Sequence, residues 1–201
     1  MLKQEYVDLD VLEAYNSQLL HLGVEVTKQR QIMLNELREP FTKMVGLISN
    51  SEEISLSFTG IASQSPDQIR DYFRIQLQDS RDDEIRMKRC LSGPHRDDIR
   101  IGINGLNARK FASQGQVRSI VLGLKLAELE AARIRGENPL FLLDDLSSEL
   151  DRNRTRKLVE LLSERDNQIW ITTTDPKHLG PLPSSALSMW QIEDGGAVLS
   201  R

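Results

Sequence analysis

The sequence predicts an α/β layer fold preceded by a mainly helical segment. Three observations predict it: a long run of apolar residues at helical spacing in the first forty positions, a strongly apolar helix from Gln116 onward, and two short apolar strands, Leu140 to Leu143 and Gln168 to Thr172, separated by a further helical stretch. A strand, helix and strand at this spacing form a layer in which the strands lie parallel.

Composition narrows the class. With 39% hydrophobic and 28% charged residues over 201 positions, the chain has enough apolar material for one sizeable core, or for a domain and a smaller neighbour. No apolar run reaches the roughly 18 residues a membrane helix needs, and MLKQEYVDLD at the N-terminus has no signal-peptide core, so the expected location is cytoplasmic. The single cysteine, Cys90, excludes an internal disulfide framework and a cysteine-based metal cluster. A lone thiol can be a nucleophile, but a stray thiol near a segment end is the better reading. A net charge of -4 argues against a wholesale polycation on nucleic acid and leaves room for a local basic face.

In the first segment, Leu12, Tyr15, Leu19, Leu22, Val26, Met33 and Leu37 recur at three-then-four spacing and form one face of a long amphipathic helix, which Glu39-Pro40 ends or bends. Ile54, Leu56 and Phe58 alternate with Ser55 and Ser57 as a half-buried strand closed by Gly60. Ser65-Pro66-Asp67-Gln68 predicts a helix start, with Ser65 as N-cap, Pro66 in the first turn and Gln68 completing a capping box; Ile69, Phe73 and Leu77 share one face. The stretch DSRDDEIRMKR, Asp79 to Arg89, reads as a solvated helix end or exposed linker, and a domain boundary is placed there, giving a helical part over 1–90 and an α/β part over 91–201.

Beyond Cys90, Ile99, Ile101 and Ile103 alternate with Arg100 and Gly102, and Asn104-Gly105 predicts a tight hairpin whose return strand runs from Leu106 to Phe111. Val117, Ile120, Val121, Leu124, Leu126, Ala127 and Leu129 make a helix buried against a sheet, stopped at Gly136. Leu140 to Leu143 reads as a strand covered on both faces, followed by a helix over Arg154 to Leu162.

Asp144 and Asp145 stand where the Leu140 to Leu143 strand runs out. Ligands in open parallel sheets sit beyond the carboxyl ends of the strands, and adjacent carboxylates there repel unless a cation or hydrogen-bond donors offset the cost. Magnesium with nucleotide phosphates would supply that offset; a helix-capping pair is the plain alternative. Likewise Ser113-Gln114-Gly115-Gln116 opens a helix with backbone N–H groups that suit an anion, and equally suit a simple cap.

The ordered combination is more specific than any member: polar glycine turn, buried helix, apolar strand, Asp-Asp, then Ser148-Glu149-Leu150-Asp151, then a strand ending in Thr172-Thr173-Thr174-Asp175. This order resembles the C-terminal half of an ABC-type ATPase head, and GPHRDD (93–98), FASQGQVRS (111–119), LGLKLAE (122–128) and LLDDLSSELD (142–151) resemble the RecF family of recombination-repair ATPases related to the SMC proteins. The resemblance implies a fold: the C-terminal lobe of an SMC-like P-loop ATPase head over 91–201, with residues 1–90 as the family's helical arm.

It also implies roles. Asp144 is the Walker B carboxylate holding Mg2+, and Asp145 stands where ABC ATPases commonly carry a catalytic glutamate that polarises the attacking water. Ser113, Gln114, Gly115 and Gln116 form the signature turn, with Ser113 and Gly115 facing the γ-phosphate of ATP bound on the opposite protomer. Ser148 and Asp151 belong to the D-loop at the dimer interface, and Thr174 falls in the switch region, where many ABC proteins have a histidine. His95 and Arg96 match a family motif without an assigned mechanism. The implied partners are DNA at junctions of single and double strands, a second protomer joined by ATP, the RecO and RecR mediators, and RecA indirectly.

The chain departs from the family pattern in one respect: no G-x-x-x-x-G-K-[ST] phosphate loop occurs in it. The expectation is a RecF without its N-terminal lobe, through truncation, a fragment or a misplaced start at Met1, with weak ATP binding and negligible hydrolysis alone. Arg81, Arg86, Lys88 and Arg89 alternate with acids and read better as a solvated face than as a DNA surface. The alternatives are a noncatalytic interaction module and an ABC transporter nucleotide-binding subunit; the latter should show LSGGQ in place of ASQGQ and a switch histidine in place of Thr174.

Overall fold

The structure, a computed structural model, describes residues 2, 8–49, 53–63, 65–145, 150–163, 167–180 and 188–200. In chain order the elements are α1 (Leu9–Ile48), β1 (Ile54–Phe58), α2 (Pro66–Met87), a 3₁₀ turn (Pro94–Arg96), β2 (Ile99–Ile103), β3 (Leu106–Asn107), α3 (Ala108–Phe111), α4 (Gln114–Ile134), β4 (Phe141–Leu143), α5 (Arg152–Ser163), β5 (Ile169–Ile171), a second 3₁₀ turn (Pro176–Leu179), β6 (Trp190–Glu193) and β7 (Gly196–Leu199). Two compact units result: Met1–Thr42 with Glu52–Ala112, and Lys43–Ser51 with Ser113–Arg201. The first unit reaches Ala112 rather than closing at residue 90. The reason is strand pairing, since β2 runs antiparallel to β1 with Ile54 opposite Ile103 and Phe58 opposite Ile99.

In the first unit α1 presents a different stripe from the one expected. Leu12 and Leu37 are buried, but Tyr15, Leu22, Val26 and Met33 are exposed, and the inward stripe is Val24, Thr27, Gln31, Leu34, Leu37 and Phe41. The Thr27 hydroxyl in that stripe is buried with no hydrogen-bond partner among the described residues, but Gln31 is met by a backbone acceptor: its side chain donates to the Ile61 carbonyl, and the neighbouring Arg30 guanidinium donates to the Pro94 carbonyl. Such pairing removes most of the penalty for burying an amide. Val24 packs with Ile69 and Phe73 of α2.

The helix also runs straight through Pro40 to Ile48. Proline in a helix interior costs about 3 kcal/mol or more. Phe41, Met44, Val45 and Ile48 are all 1% exposed or less, and burying side chains of this kind contributes about 1.5–3 kcal/mol each, enough to outweigh it.

α2 begins at Pro66 as expected, with Ser65 extended at the N-cap position but making no side-chain cap bond. Instead the Ser63 hydroxyl donates to Gln68. The charged stretch at the end of α2 is solvated apart from Glu84, which is 2% exposed and accepts the backbone N–H groups of Leu91 (2.6 Å) and Ser92 (3.0 Å). It thereby pins the turn that follows the left-handed Lys88. Arg86 pairs with Asp83 at 2.5 Å.

The Asn104-Gly105 hairpin forms, with both residues at positive φ (49° and 75°). Its return strand is only Leu106–Asn107, because the Asn107 side chain accepts the Arg109 N–H at 3.0 Å and starts α3, where strand had been expected through Phe111.

In the second unit, β4 and β5 pair in parallel, Phe141 with Ile169, Leu142 with Trp170 and Leu143 with Ile171. One face carries Phe141, Leu143, Ile169 and Ile171 and packs on a core drawn from Met44 and Ile48 of α1, Leu126 and Leu129 of α4, and Leu158 and Leu162 of α5. Gly123 lets α4 approach α1 closely: a Cβ there would stand 2.3 Å from a Val45 methyl. The expectation of a strand covered on both faces fails among the described residues. Leu142 is 66% and Trp170 54% exposed, so the sheet is covered on one side only. β6 and β7 form a separate antiparallel ribbon with Trp190 opposite Leu199. No described helix is long and apolar enough to cross a membrane.

Asp97 closes the 3₁₀ turn that holds His95 and Arg96, its Oδ2 buried without a hydrogen-bond partner. Burial pushes its carboxyl above the ordinary 3.8, against the pull of Arg30 and His95. An acid raised in the folded state costs stability where it is charged, and that cost is relieved as pH falls through its folded value towards the unfolded one. Asp97→Asn is therefore expected to melt at a higher temperature than the unsubstituted chain at pH 7, with the difference shrinking as pH approaches 4; thermal unfolding followed across that range checks it.

Candidate functional site

The core of the second unit fixes three chain turns: the start of α4, the end of β4 and the start of α5. Each is closed by short polar side chains.

At the start of α4, Ser113 is extended (φ -65°, ψ 161°) and makes a reciprocal cap. Its hydroxyl accepts the Gln116 N–H at 3.2 Å, and the Gln116 side chain accepts the Ser113 N–H at 2.8 Å. The capping reading of the turn is thus correct. The N–H groups of Gln114 and Gly115 lie in the first turn of a 21-residue helix, where intrahelical acceptors do not exist and the helix dipole favours negative charge. The Gly115 carbonyl accepts from the Ser119 hydroxyl at 3.1 Å and from Arg154 Nη1 of α5 at 3.1 Å.

At the end of β4, Asp144 and Asp145 are both exposed. Thr172, just past β5, links them. Its hydroxyl donates to Asp144 Oδ1 at 2.5 Å and accepts the Asp145 N–H at 2.9 Å. Asp145 takes a left-handed backbone (φ 45°). The ladder extends one step beyond β5, with the Thr172 N–H donating to the Leu143 carbonyl at 2.9 Å, and this step brings the threonine to the aspartates.

At the start of α5, Asp151 Oδ1 accepts the N–H groups of Asn153 (3.0 Å) and Arg154 (3.1 Å), a helix cap, while Oδ2 lies 3.4 Å from Arg154 Nε. Asp151, Arg152, Asn153, Arg154, Arg156 and Lys157 line an open cavity of about 590 Å³. Ser148 lies outside the described residues. Thr174 is exposed beyond β5, and Asp175 caps the second 3₁₀ turn by accepting the Lys177 N–H at 2.9 Å.

The structure thus brings Asp144 and Asp145 together with Thr172, and Gly115 together with Asp151 through Arg154. Two residues with no role in the sequence reading, Thr172 and Arg154, make these links. Thr172 was visible only as the first residue of a threonine run, and Arg154 only as a helix start. Cys90 is removed from consideration as a nucleophile: burial pushes its thiol above the ordinary 9.0, and its Sγ donates to the Ser92 carbonyl at 3.1 Å. Among the described residues no group of three or more His, Cys, Asp or Glu side chains gathers as a metal cage. The Asp144 carboxylate fits the sparser mode in which magnesium takes one or two carboxylates and completes its shell with water and phosphate.

No family model matches the chain. It is 37% identical over 196 residues to the DNA replication and repair protein RecF of Streptococcus equi subsp. zooepidemicus, covering 96% of this chain and 53% of that protein. It is 40% identical over 197 residues to the RecF protein of Streptococcus pneumoniae serotype 4, with the same coverage of 96% and 53%. The solved structure of the recombination mediator protein RecF-ATPrS in the RecFOR pathway matches all of this chain (100%) and 53% of that one, with a TM-score of 0.80 at 30% identity. A structure from work on ATP-driven dimerization and DNA-stimulated activation of SMC ATPases matches at a TM-score of 0.52 over 88% of this chain and 87% of that one; at 11% identity it shows the fold alone.

Fold and strand-end site together define a lobe of an SMC-like ABC ATPase head with a mainly helical arm. Within that class the chain matches RecF proteins over 96% of its own length, and it spans about half the length of the curated relatives it matches. The transporter alternative is thereby set aside.

Two outcomes follow from these links. Ser113→Ala removes one half of the reciprocal cap and is expected to lower stability by about 1 kcal/mol, read from chemical denaturation. Thr172→Val, which keeps the shape and loses the hydroxyl, is expected to speed amide exchange at Asp145 by about an order of magnitude, since the net worth of such a bond is about 1 kcal/mol or more.

Proposed function

We propose that this chain is the signature-turn and Walker B half of a RecF-type DNA repair ATPase. The observation that carries the reading is the placement of Asp144 and Asp145, tied by Thr172, at the carboxyl end of a parallel strand pair, where nucleotide sites form in sheets of this kind. The RecF relatives and the RecF-ATPrS structure support it.

In this reading Asp144 holds Mg2+ through water, with the Thr172 hydroxyl fixing one carboxylate oxygen and leaving the other for the ion's shell. Magnesium, when bound, neutralises charge on the β- and γ-phosphates of ATP. Asp145 orients the attacking water and takes up its proton. Ser113, Gln114, Gly115 and Gln116 present their helix N-terminus to the γ-phosphate held by the opposite protomer. Asp151 and Ser148 face the dimer interface, and Thr174 senses the γ-phosphate from the switch region. The uncovered apolar face at Leu142 and Trp170 supports the view that the lobe is completed by the other half of a RecF protein, which brings the phosphate loop.

The completed protein dimerises on ATP and binds DNA at junctions of single and double strands. It then helps load RecA at gaps together with RecO and RecR. Phosphate neutralisation dominates DNA contact, so affinity falls steeply with salt.

The test compares ATP hydrolysis by this chain and by the same chain fused to the missing half of a streptococcal RecF, with and without gapped DNA. Only the completed protein is expected to turn over, DNA accelerates it, and Asp145→Asn lowers kcat by about 10²- to 10⁴-fold, the usual worth of a positioned acid–base group. Turnover by this chain alone, abolished by the same substitution, would overturn the half-site view. Absence of turnover in both, with nucleotide-free co-purification of RecR, would make this a noncatalytic interaction module.

A further inference from the structure

Arg154 makes two contacts in opposite directions from one guanidinium. Nη1 donates to the Gly115 carbonyl at 3.1 Å, 39 positions earlier in the chain, and Nε lies 3.4 Å from Asp151 Oδ2. The side chain is only 22% exposed, against 59% for its aspartate partner. All three residues belong to the second unit. An ordinary exposed ion pair three residues apart on a helix is worth a few tenths of a kcal/mol and asks nothing of a distant loop. The bond to Gly115 is different in kind, because it joins the first turn of α4 to the cap of α5.

The glycine itself bears the mark of this contact. A Cβ at position 115 would stand 3.0 Å from Arg154 Nη1 and 4.0 Å from its Cζ, with no other atom within 4 Å. Glycine at this place in the turn therefore makes room for the arginine, whatever it also does for a ligand. On the other side, Asp151 is held by the N–H groups of Asn153 and Arg154, so the acceptor of the Nε contact is itself fixed. A planar guanidinium can address two acceptors along separate directions, and a single ammonium on a flexible stem cannot hold both with the same geometry.

We propose that Arg154 is a positioning residue, a strut that sets the spacing between the Ser113–Gln116 turn and the Asp151 turn. Its catalytic consequence rests on the function proposed above, in which both turns meet nucleotide or the opposite protomer; its structural content does not. Displacing a group by about 1 Å can cost on the order of 10²-fold in rate, so loss of the strut acts on turnover and not on the bulk of nucleotide binding, which lies with the phosphate loop.

The experiment has two arms, each run on Arg154→Gln, Arg154→Lys and, as an exposed arginine in the last turn of α4 outside the proposed site, Arg133→Gln. In the 201-residue chain, amide exchange at residues 117–119, whose N–H groups bond back into the first turn of α4, is measured by mass spectrometry. Arg154→Gln is expected to accelerate it about tenfold, the worth of a charged hydrogen bond. Gly115→Ala is expected to do the same from the other side of the contact, and Arg133→Gln leaves it unchanged. In the completed protein, Arg154→Gln is expected to lower kcat by about 10- to 100-fold with KM for ATP within about threefold, and Arg154→Lys to fall between.

Unchanged exchange at residues 117–119 in both Arg154 variants overturns the strut. Faster exchange with kcat at the level of the Arg133→Gln protein overturns the positioning role and leaves a structural contact. If the completed protein with Arg154 intact shows no turnover, the proposed function falls, and the exchange arm alone decides on Arg154. Should Arg154→Gln fail to fold, Arg154→Lys, which keeps the charge and the apolar stem, carries both arms.

Discussion

The buried apolar layer formed by Met44 and Ile48 of α1, Leu126 of α4 and Leu158 of α5 presses against one face of the parallel strand pair, and the strand ends and helix starts around it take their positions from that contact. Because the strands are short, three residues each, small shifts in the layer move the strand ends directly. Protein interiors pack densely and deform little, so the ends of β4 and β5 and the starts of α4 and α5 are held as a set. The layer also explains why a helix with a proline in its interior survives: the turns after Pro40 are where α1 reaches this core.

Over that apolar base lies a thin polar layer built from few groups. A serine and a glutamine close one turn, a threonine joins two aspartates at another, and an aspartate and an arginine close the third while reaching back to the first. Each link satisfies backbone groups that a helix end or a sharp bend would leave unpaired. The same groups that stabilise the turns are therefore those that present carboxylates and N–H donors to solvent. Capping and ligand binding do not compete as explanations here, since a cap orders the donors that a ligand would use.

Much of this was legible in the sequence. The helix α4, the cap at Ser113, the strand running into Asp144 and the hairpin at Asn104-Gly105 each carry a local cause, although Val117 and Val121, expected on the buried face of α4, are exposed. The misreadings arose where distant partners decide. On α1 the inward face holds Gln31, because the carbonyl of Ile61 offers a partner that periodicity cannot reveal. Residues 108–111 form a helix because Asn107 caps it, although they follow a hairpin turn. Glu84 looked like one more solvated acid and is buried because two backbone N–H groups of residues 91 and 92 converge on it. Thr172 and Arg154 escaped notice for the same reason, as both act on residues 27 to 39 positions away.

The left-handed backbone at Asp145 has a further consequence, for the choice of acid. Aspartate and asparagine enter that conformation far more readily than longer side chains do, and for a residue with an unhelpful side chain it costs about 1–2 kcal/mol. Here the backbone after β4 selects the acid by its length: a short carboxylate at position 145 suits the left-handed conformation, which a glutamate would enter only at a cost.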